Sequence, residues 1–221
     1  MAWPMSHLYV AKNILYSFPI ELKDISQYYL GTLAPDAVYF RQNYQRDLKR
    51  ISHLYTNIDK SDIDYYSEKW KKNVIEFFVK NNSQGYFDFL LGYCIHLLLD
   101  IFVYKNIYRP YISENNSIDK NGCTKTYTNE NLAVDLEIYQ ELNYEETIFP
   151  ILASSKPTDF IDILETDMER IKNNILNVQY KNKTIIDTAN NKFYNFDKII
   201  GFNNQSIEYI KKEFIEAYVK K

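Results

Sequence analysis

The chain has 221 residues, of which 46% are hydrophobic and 25% charged, a balance that predicts one domain, 1–221, with a sizeable core. Its net charge of −3 excludes the overall basic field that gathers nucleic acid, so we expect no nucleic-acid partner. The opening segment "MAWPMSHLYVAKNIL" lacks the basic region, the unbroken apolar stretch and the cleavage site of a secretory signal. We therefore expect a cytoplasmic protein.

The spacing of apolar residues predicts helices throughout the chain. Only 5 glycines and 6 prolines occur, and apolar residues recur every three or four positions rather than every two. The fold class is therefore expected to be all-α, with helix N-caps at Ser6, Ser61 and Thr158. In chain order, helices are predicted at residues 6–17, 21–30, 42–56, 61–79, 84–107, 130–143, 158–179 and 205–220.

A polar segment interrupts this pattern at residues 113–129, "SENNSIDKNGCTKTYTN". The segment is long for a loop in a compact domain and follows the most apolar helix directly. We expect a mobile lid or a substrate-side flap near the mouth of a functional site.

The most apolar helix carries two polar residues in the stretch "GYCIHLLLD". His96 and Asp100 are one helical turn apart and project from the same face. The surrounding run is about long enough to span a bilayer at ~20 residues. Ionisable residues interrupt it, and such groups are costly at mid-bilayer, so we predict a buried central helix and no transmembrane segment.

Buried polar groups need partners, since an unpaired one costs roughly 1–3 kcal/mol. The chain has only 3 histidines, His7, His53 and His96, and Asp36 follows Pro35 at a break between predicted helices. Taken singly, each histidine could be a core residue bonded to a carbonyl group, and Asp36 could be a helix cap. Taken together, imidazole nitrogens and aspartate oxygens are suitable zinc ligands, and Asp100 is placed to bridge two ions.

Four segments in chain order carry a resemblance to a known family: "WPMSH", "LGTLAPDAV", "KRISHL" and "GYCIHLLLD". Together they resemble the bacterial zinc-dependent phospholipases C over roughly the first half of the chain. The resemblance implies an all-helical fold around a zinc cluster, with a metal-bound hydroxide attacking a phosphodiester. It implies one zinc ion held by Asp36, His53, His96 and Asp100, and a second held by His7 with Asp100. Asp36 would also orient the attacking water.

The chain departs from this family in two respects. The secreted members use a free amino-terminal tryptophan as a zinc ligand, whereas Trp3 is internal here. They also complete a third zinc site from histidines and a glutamate further along the chain, whereas no histidine follows His96. Asp135 is a candidate additional ligand, although the segment that holds it could equally be a solvated helix face.

The predicted activity is hydrolysis of phosphate esters by a metal-dependent enzyme with two zinc ions, or another divalent metal. Arg41, Arg46 and Lys49 are candidate contacts to a substrate phosphate, although surface solvation would also explain them. The substrate would be a lipid or a small soluble phosphodiester. Two alternatives stay open: a phosphohydrolase of nucleotides or other soluble phosphodiesters, and a non-catalytic metal-binding or interaction protein.

Overall fold

The structure is a computed structural model that describes residues 3–83, 85–115, 120–181, 183 and 188–219, and the backbone alone at 120–123. Within these ranges the fold is all-α, as predicted, and no β-strand forms beyond one isolated bridge between Phe160 and Ile163. The α-helices are α1 Pro4–Ser17, α2 Ile25–Leu33, α3 Arg46–Ser52, α4 Ile63–Asn81, α5 Phe87–Val103, α6 Arg109–Glu114, α7 Lys120–Glu141, α8 Tyr144–Thr147, α9 Phe149–Ala153, α10 Glu165–Asn174 and α11 Phe196–Ile210. A 3₁₀-helix, Ala34–Phe40, follows α2, and π-helical segments follow α5, α10 and α11 at Tyr104–Tyr108, Ile175–Gln179 and Lys211–Val219.

Helix α5 is the centre of the fold. Every residue from Asp88 to Val103 is buried, and α1, α2, α4 and α11 pack around it. By length and composition the continuous helical stretch Phe87–Glu114 could cross a membrane, but 89% of its most apolar window is buried inside the protein. That burial is the property of a core helix, in agreement with the sequence prediction.

Two glycines let α2 and α5 approach each other closely. A β-carbon at Gly31 would lie 2.0 Å from the Phe89 carbonyl oxygen, and one at Gly92 would lie 2.0 Å from the Tyr28 carbonyl oxygen. Neither position tolerates a larger side chain unless the backbones separate. The pair therefore sets the distance between α5 and the 3₁₀-helix that continues α2.

Several predicted boundaries are wrong for local reasons. Helix α1 begins at Pro4, so Ser6 lies inside it, and Asp62 rather than Ser61 caps α4 by accepting bonds from two backbone amides. The prediction 42–56 shrinks to α3, because Asn43 and Leu54 adopt left-handed backbone conformations that break a helix.

The second half of the chain was predicted less accurately. Thr158 is not a cap: α10 starts at Glu165, and the Asp167 carboxylate accepts a bond from the Leu164 amide at 3.1 Å. Helices α8 and α9 were missed because each is too short to show a period. Helix α11 begins earlier than predicted. The predicted start of the helix 84–107 and the predicted end of the helix 205–220 lie outside the described residues.

The prediction of a loop over 113–129 is also wrong in large part. Helix α6 runs to Glu114, and α7 is helical from Lys120 onward, while residues 116–119 lie outside the described part of the chain. A polar composition with threonines and asparagines disfavours but does not forbid a helix, and neighbouring elements override such weak preferences.

Candidate metal centre

Four elements bring the predicted ligands to one place. His7 lies in α1, Asp36 in the 3₁₀-helix after α2 and His53 at the C-terminal end of α3, while α5 carries His96 and Asp100. The three imidazoles and Asp100 are at most 1% exposed, and Asp36 is 25% exposed. The side chains therefore meet in the interior, with Asp36 on the side that solvent can reach.

The Asp100 carboxylate lies between the three imidazoles. Its Oδ1 is 3.6 Å from His7 Nε2, and its Oδ2 is 3.5 Å from His53 Nε2 and 3.9 Å from His96 Nε2. Asp36 Oδ1 lies 3.2 Å from His53 Nε2. One carboxylate thus faces all three histidines.

The outward nitrogens of two histidines fix their tautomers. His96 Nδ1 lies 2.8 Å from the Thr32 carbonyl oxygen, which can only accept, so the ring proton is on Nδ1. His53 Nδ1 lies 3.0 Å from Ser52 Oγ, whose own proton is donated to the Pro35 carbonyl at 2.9 Å. Both Nε2 atoms then present a lone pair to the carboxylates, which is how neutral histidine binds a metal.

His7 stacks on His96, with ring centroids 3.7 Å apart and planes within 2°. Burial first, and then the neighbouring His96, lower the pKa of His7 to about 3. Burial likewise lowers the pKa of His96. These two imidazoles are therefore neutral near pH 7, the state that coordinates metal ions.

The two carboxylates are held ionised. Burial acts to raise the pKa of Asp36, but the Lys49 ammonium, 3.4 Å from Oδ1, keeps it well below its usual range. The pKa of Asp100 is also lowered: burial opposes ionisation, whereas positive charge nearby, that of Lys49 included, favours it.

The residues fit a divalent cation. Among the described residues, neither nitrogen of His7 has a hydrogen-bond partner, nor do Nε2 of His53 and Nε2 of His96. Lone pairs that face carboxylate oxygens in the interior repel one another unless a positive charge lies between them. The ligand atoms fall into two sets, each within 4.8 Å: His7, His96 and Asp100, and Asp36, His53 and His96. Imidazole with carboxylate is a donor set that zinc accepts.

A cavity of about 340 Å³ opens at Asp36. Lys49 and Tyr127 are in its polar wall, and Trp3, Phe40, Ile171 and Ile175 are in its apolar wall. The sequence interpretation missed Tyr127, whose hydroxyl is buried and has no hydrogen-bond partner in the part of the chain that the structure describes. Burial, followed by the neighbouring Tyr194 and Asp100, raises the pKa of Tyr127, so its hydroxyl stays a donor.

The segment 113–129, predicted to be a lid, ends at the cavity. Tyr127 and Thr128 line the cavity, so the end of the 113–129 segment does reach the site, but it does so as part of helix α7. Its placement near the site mouth agrees with the prediction, its helical structure does not, and its mobility stays a prediction.

The three residues predicted to contact a substrate phosphate lie in different surroundings. Lys49 lines the cavity, and Arg46 lines an adjacent groove. Arg41 lines neither; its Nε donates to Asp167 at 2.9 Å, and its guanidinium also binds the Asp162 carbonyl. Arg41 therefore joins the 3₁₀-helix to the start of α10.

Asp135 is buried and accepts two hydrogen bonds. Its Oδ1 accepts a bond from the Met5 amide at 2.8 Å, and its Oδ2 accepts one from the Tyr180 hydroxyl at 2.5 Å. The Trp3 side chain, at the N-cap position of α1, makes no capping bond. The Asp135 carboxylate of α7 takes this part, because it accepts the bond from the Met5 amide in the first turn of α1. Both oxygens are thus used, and the residue belongs to neither set of candidate ligands.

We expect Asp135→Asn to leave the zinc content unchanged and to lower stability at neutral pH by about 1 kcal/mol, the value of one hydrogen bond. Burial raises the pKa of Asp135 to about 7. Since this is above the unfolded value of about 3.9, the wild type should lose stability relative to the variant as the pH rises from about 4 to 7. Elemental analysis and thermal melts across that range test both statements. A loss of zinc in the variant would assign Asp135 to the metal centre after all.

The fold and the site define an all-α protein whose buried His/Asp centre suits zinc. The family model for zinc-dependent phospholipase C matches residues 6–146. The chain belongs to this family. No individual curated protein and no solved structure matches significantly. Family and site together support a metal-dependent, phospholipase-like hydrolase.

Proposed function

We propose that this protein hydrolyses phosphodiesters with two zinc ions. The observation that carries the proposal is the convergence of three buried histidines, with four ring nitrogens that lack hydrogen-bond partners, on Asp100 beside a cavity. His7 with Asp100 would hold one ion, and Asp36, His53, His96 and Asp100 the other. When bound, zinc supplies a Lewis acid that lowers the pKa of water and offsets negative charge on phosphoryl oxygens.

The chain's own residues supply orientation and charge. Thr32 and Ser52 fix the rings of His96 and His53 through their Nδ1 atoms. Asp36 is the carboxylate that the cavity reaches, so it accepts a hydrogen bond from the attacking water and aligns it. The water oxygen forms a new bond to phosphorus as the water proton passes to Asp36, and the bond to the alcohol oxygen breaks as that oxygen takes up a proton, so the products are a phosphate monoester and an alcohol.

Two further groups face the substrate. The Lys49 ammonium, in the cavity wall, attracts a phosphoryl oxygen. The Tyr127 hydroxyl offers a hydrogen bond that no described residue accepts. The apolar wall formed by Phe40, Ile171 and Ile175 excludes water and suits the less polar half of the ester. A lipid is one such ester, and a soluble phosphodiester is the alternative.

The cytoplasmic location of the protein stays a prediction.

Metal analysis combined with turnover tests the proposal. Protein purified without added metal should contain about two zinc equivalents. It should hydrolyse bis(p-nitrophenyl) phosphate or phospholipid vesicles. Chelation should abolish turnover, and zinc or manganese should restore it. Bound metal without turnover on either substrate would favour a non-catalytic metal-binding protein instead.

Asp36→Asn tests the orienting role. The variant should lose activity by about 100-fold or more, the scale of a positioned proton acceptor, and keep the ion that His7 and Asp100 hold. Asp64→Asn is the matched control, since Asp64 is an exposed carboxylate that lines neither the cavity nor the groove. Equal activity in the two variants would refute the role given to Asp36.

A further inference from the structure

A basic groove of about 770 Å³ lies beside the cavity of the metal centre. Four cationic side chains line it, Arg46, Lys49, Arg50 and Lys60, and none of its lining residues is acidic. The net charge of the whole chain is −3, so this is a local concentration of positive charge on an acidic protein. Such a surface attracts anions to one place.

The positive charge of the groove is only partly neutralised by the protein. Arg50 pairs with Asp47 at 3.0 Å and Lys49 with Asp36 at 3.4 Å. Within the described part of the chain, no carboxylate lies within ion-pair distance of Arg46 or Lys60. The Lys60 ammonium instead lies over the Tyr55 ring, 4.7 Å from its centroid, a contact that leaves its charge uncompensated.

The cationic side chains of the groove repel one another, as expected when their charges are only partly neutralised. Burial first, and then repulsion by Arg50, Arg46 and Lys49, lower the pKa of Lys60. The side chains are thus close enough to oppose one another's charge. A bound anion would relieve that repulsion.

The groove is continuous with the metal centre. Lys49 and Tyr39 line both the groove and the cavity that contains Asp36. Lys49 stands over the Tyr39 ring at 4.6 Å from its centroid. Tyr55, in the groove wall, lies against the metal-ligand candidate His53, with ring centroids 6.0 Å apart. A molecule that places a phosphodiester at Asp36 would extend past Lys49 into the groove.

We propose that the groove binds a second phosphate group of the substrate, so that the preferred substrate is a phosphodiester with one ester half carrying a phosphate monoester. A phosphate monoester carries between one and two negative charges near pH 7 and three acceptor oxygens, which suits several cations better than a single carboxylate does. The proposal rests on the function proposed above. The shared chemistry has two sources, a phosphorylated lipid headgroup and a soluble phosphorylated diester.

Matched substrate pairs test the proposal. The lipid pair is phosphatidylinositol and phosphatidylinositol 4-phosphate in otherwise identical vesicles. The soluble pair is thymidine 5′-(p-nitrophenyl phosphate) without and with a 3′-phosphate. We expect the additional phosphate to raise kcat/KM about tenfold in one of the two pairs, and high salt to reduce this advantage. The pair that shows it identifies the source.

The variant Arg46→Gln/Lys60→Gln removes two exposed cations that lie outside the cavity. It should abolish the preference and leave kcat/KM for the simpler substrate within about twofold, because these charges act only on the second phosphate. Lys69→Gln/Lys80→Gln changes the net charge equally at exposed positions on α4 and should retain the preference. No preference in either pair, or an equal preference in both double variants, would overturn the proposal.

A binding measurement separates the groove from the activity. By calorimetry, the metal-loaded wild type should bind inositol 1,4-bisphosphate or thymidine 3′,5′-bisphosphate, which contain no phosphodiester to hydrolyse, more tightly than the metal-loaded Arg46→Gln/Lys60→Gln variant does. If no substrate is hydrolysed but this difference is present, the proposed hydrolase function fails and the phosphate site stands. If neither probe binds more tightly to the wild type, the phosphate site is refuted.

Discussion

Asp100→Asn should remove bound metal, hydrolysis and thermal stability together. The substitution keeps the shape of the side chain but removes the negative charge that faces His7, His53 and His96 at 3.5 to 3.9 Å. Because metal binds only the folded protein, it adds about 2.7 kcal/mol of stability at a hundredfold excess over its dissociation constant. The metal-free wild type should therefore melt close to the variant.

The experiment compares thermal melts of both proteins with and without a chelator, together with their zinc content. Asp88→Asn is a matched control on the same helix. Asp88 is buried, and its Oδ2 accepts bonds from the Lys23 and Asp24 amides at 2.9 and 2.6 Å. Its loss should lower stability by roughly 1 kcal/mol equally with and without chelator, and leave zinc bound. If Asp100→Asn behaves in the same way, Asp100 is a structural residue and not a metal ligand.

Gly92→Ala should lower both stability and metal binding. Its β-carbon would meet the Tyr28 carbonyl oxygen at 2.0 Å, so α2 and α5 must separate. Overpacking of this kind costs about 1–3 kcal/mol or more. Because α2 leads into the 3₁₀-helix that carries Asp36, the separation should also weaken metal binding and hydrolysis.

Gly201→Ala provides the contrast in another helix. Gly201 lies inside α11, and a β-carbon there would meet nothing within 4 Å. Alanine should stabilise this helix by up to about 1 kcal/mol and leave zinc content and activity unchanged. Melting temperature and zinc content of the two variants test the comparison. A Gly92→Ala protein with wild-type stability would show that the close approach of α2 and α5 is not required.

The sequence predicted the helical class and the metal-ligand candidates for reasons that are local. Apolar residues at helical spacing imply helices wherever they occur. His96 and Asp100, four residues apart, must share a face of one helix whatever surrounds it. The motif around each histidine was also readable without a structure, and the family match over residues 6–146 agrees with it.

Other features were decided by tertiary contacts. Asp135 reads as part of an acidic helix, yet it caps α1 because α7 packs against that helix. Arg41 reads as a phosphate contact, yet Asp167, 126 positions away, binds it. The polar residues before Glu130 read as a loop, yet they form the first turns of α7 and bring Tyr127 to the cavity.

The sequence by itself thus determined the all-α class and the identity of the groups that could bind a metal, but not the bounds of the helices. The tertiary structure decided which of these groups meet, because their separation depends on how closely α1, α2, α3 and α5 pack. Helical periodicity reports the direction of a side chain relative to its own axis, whereas the placement of one axis against another depends on contacts between distant residues, such as those of Gly31 and Gly92. The basic groove arises for the same reason: its charges become one binding surface only when the turns around α3 fold against the 3₁₀-helix.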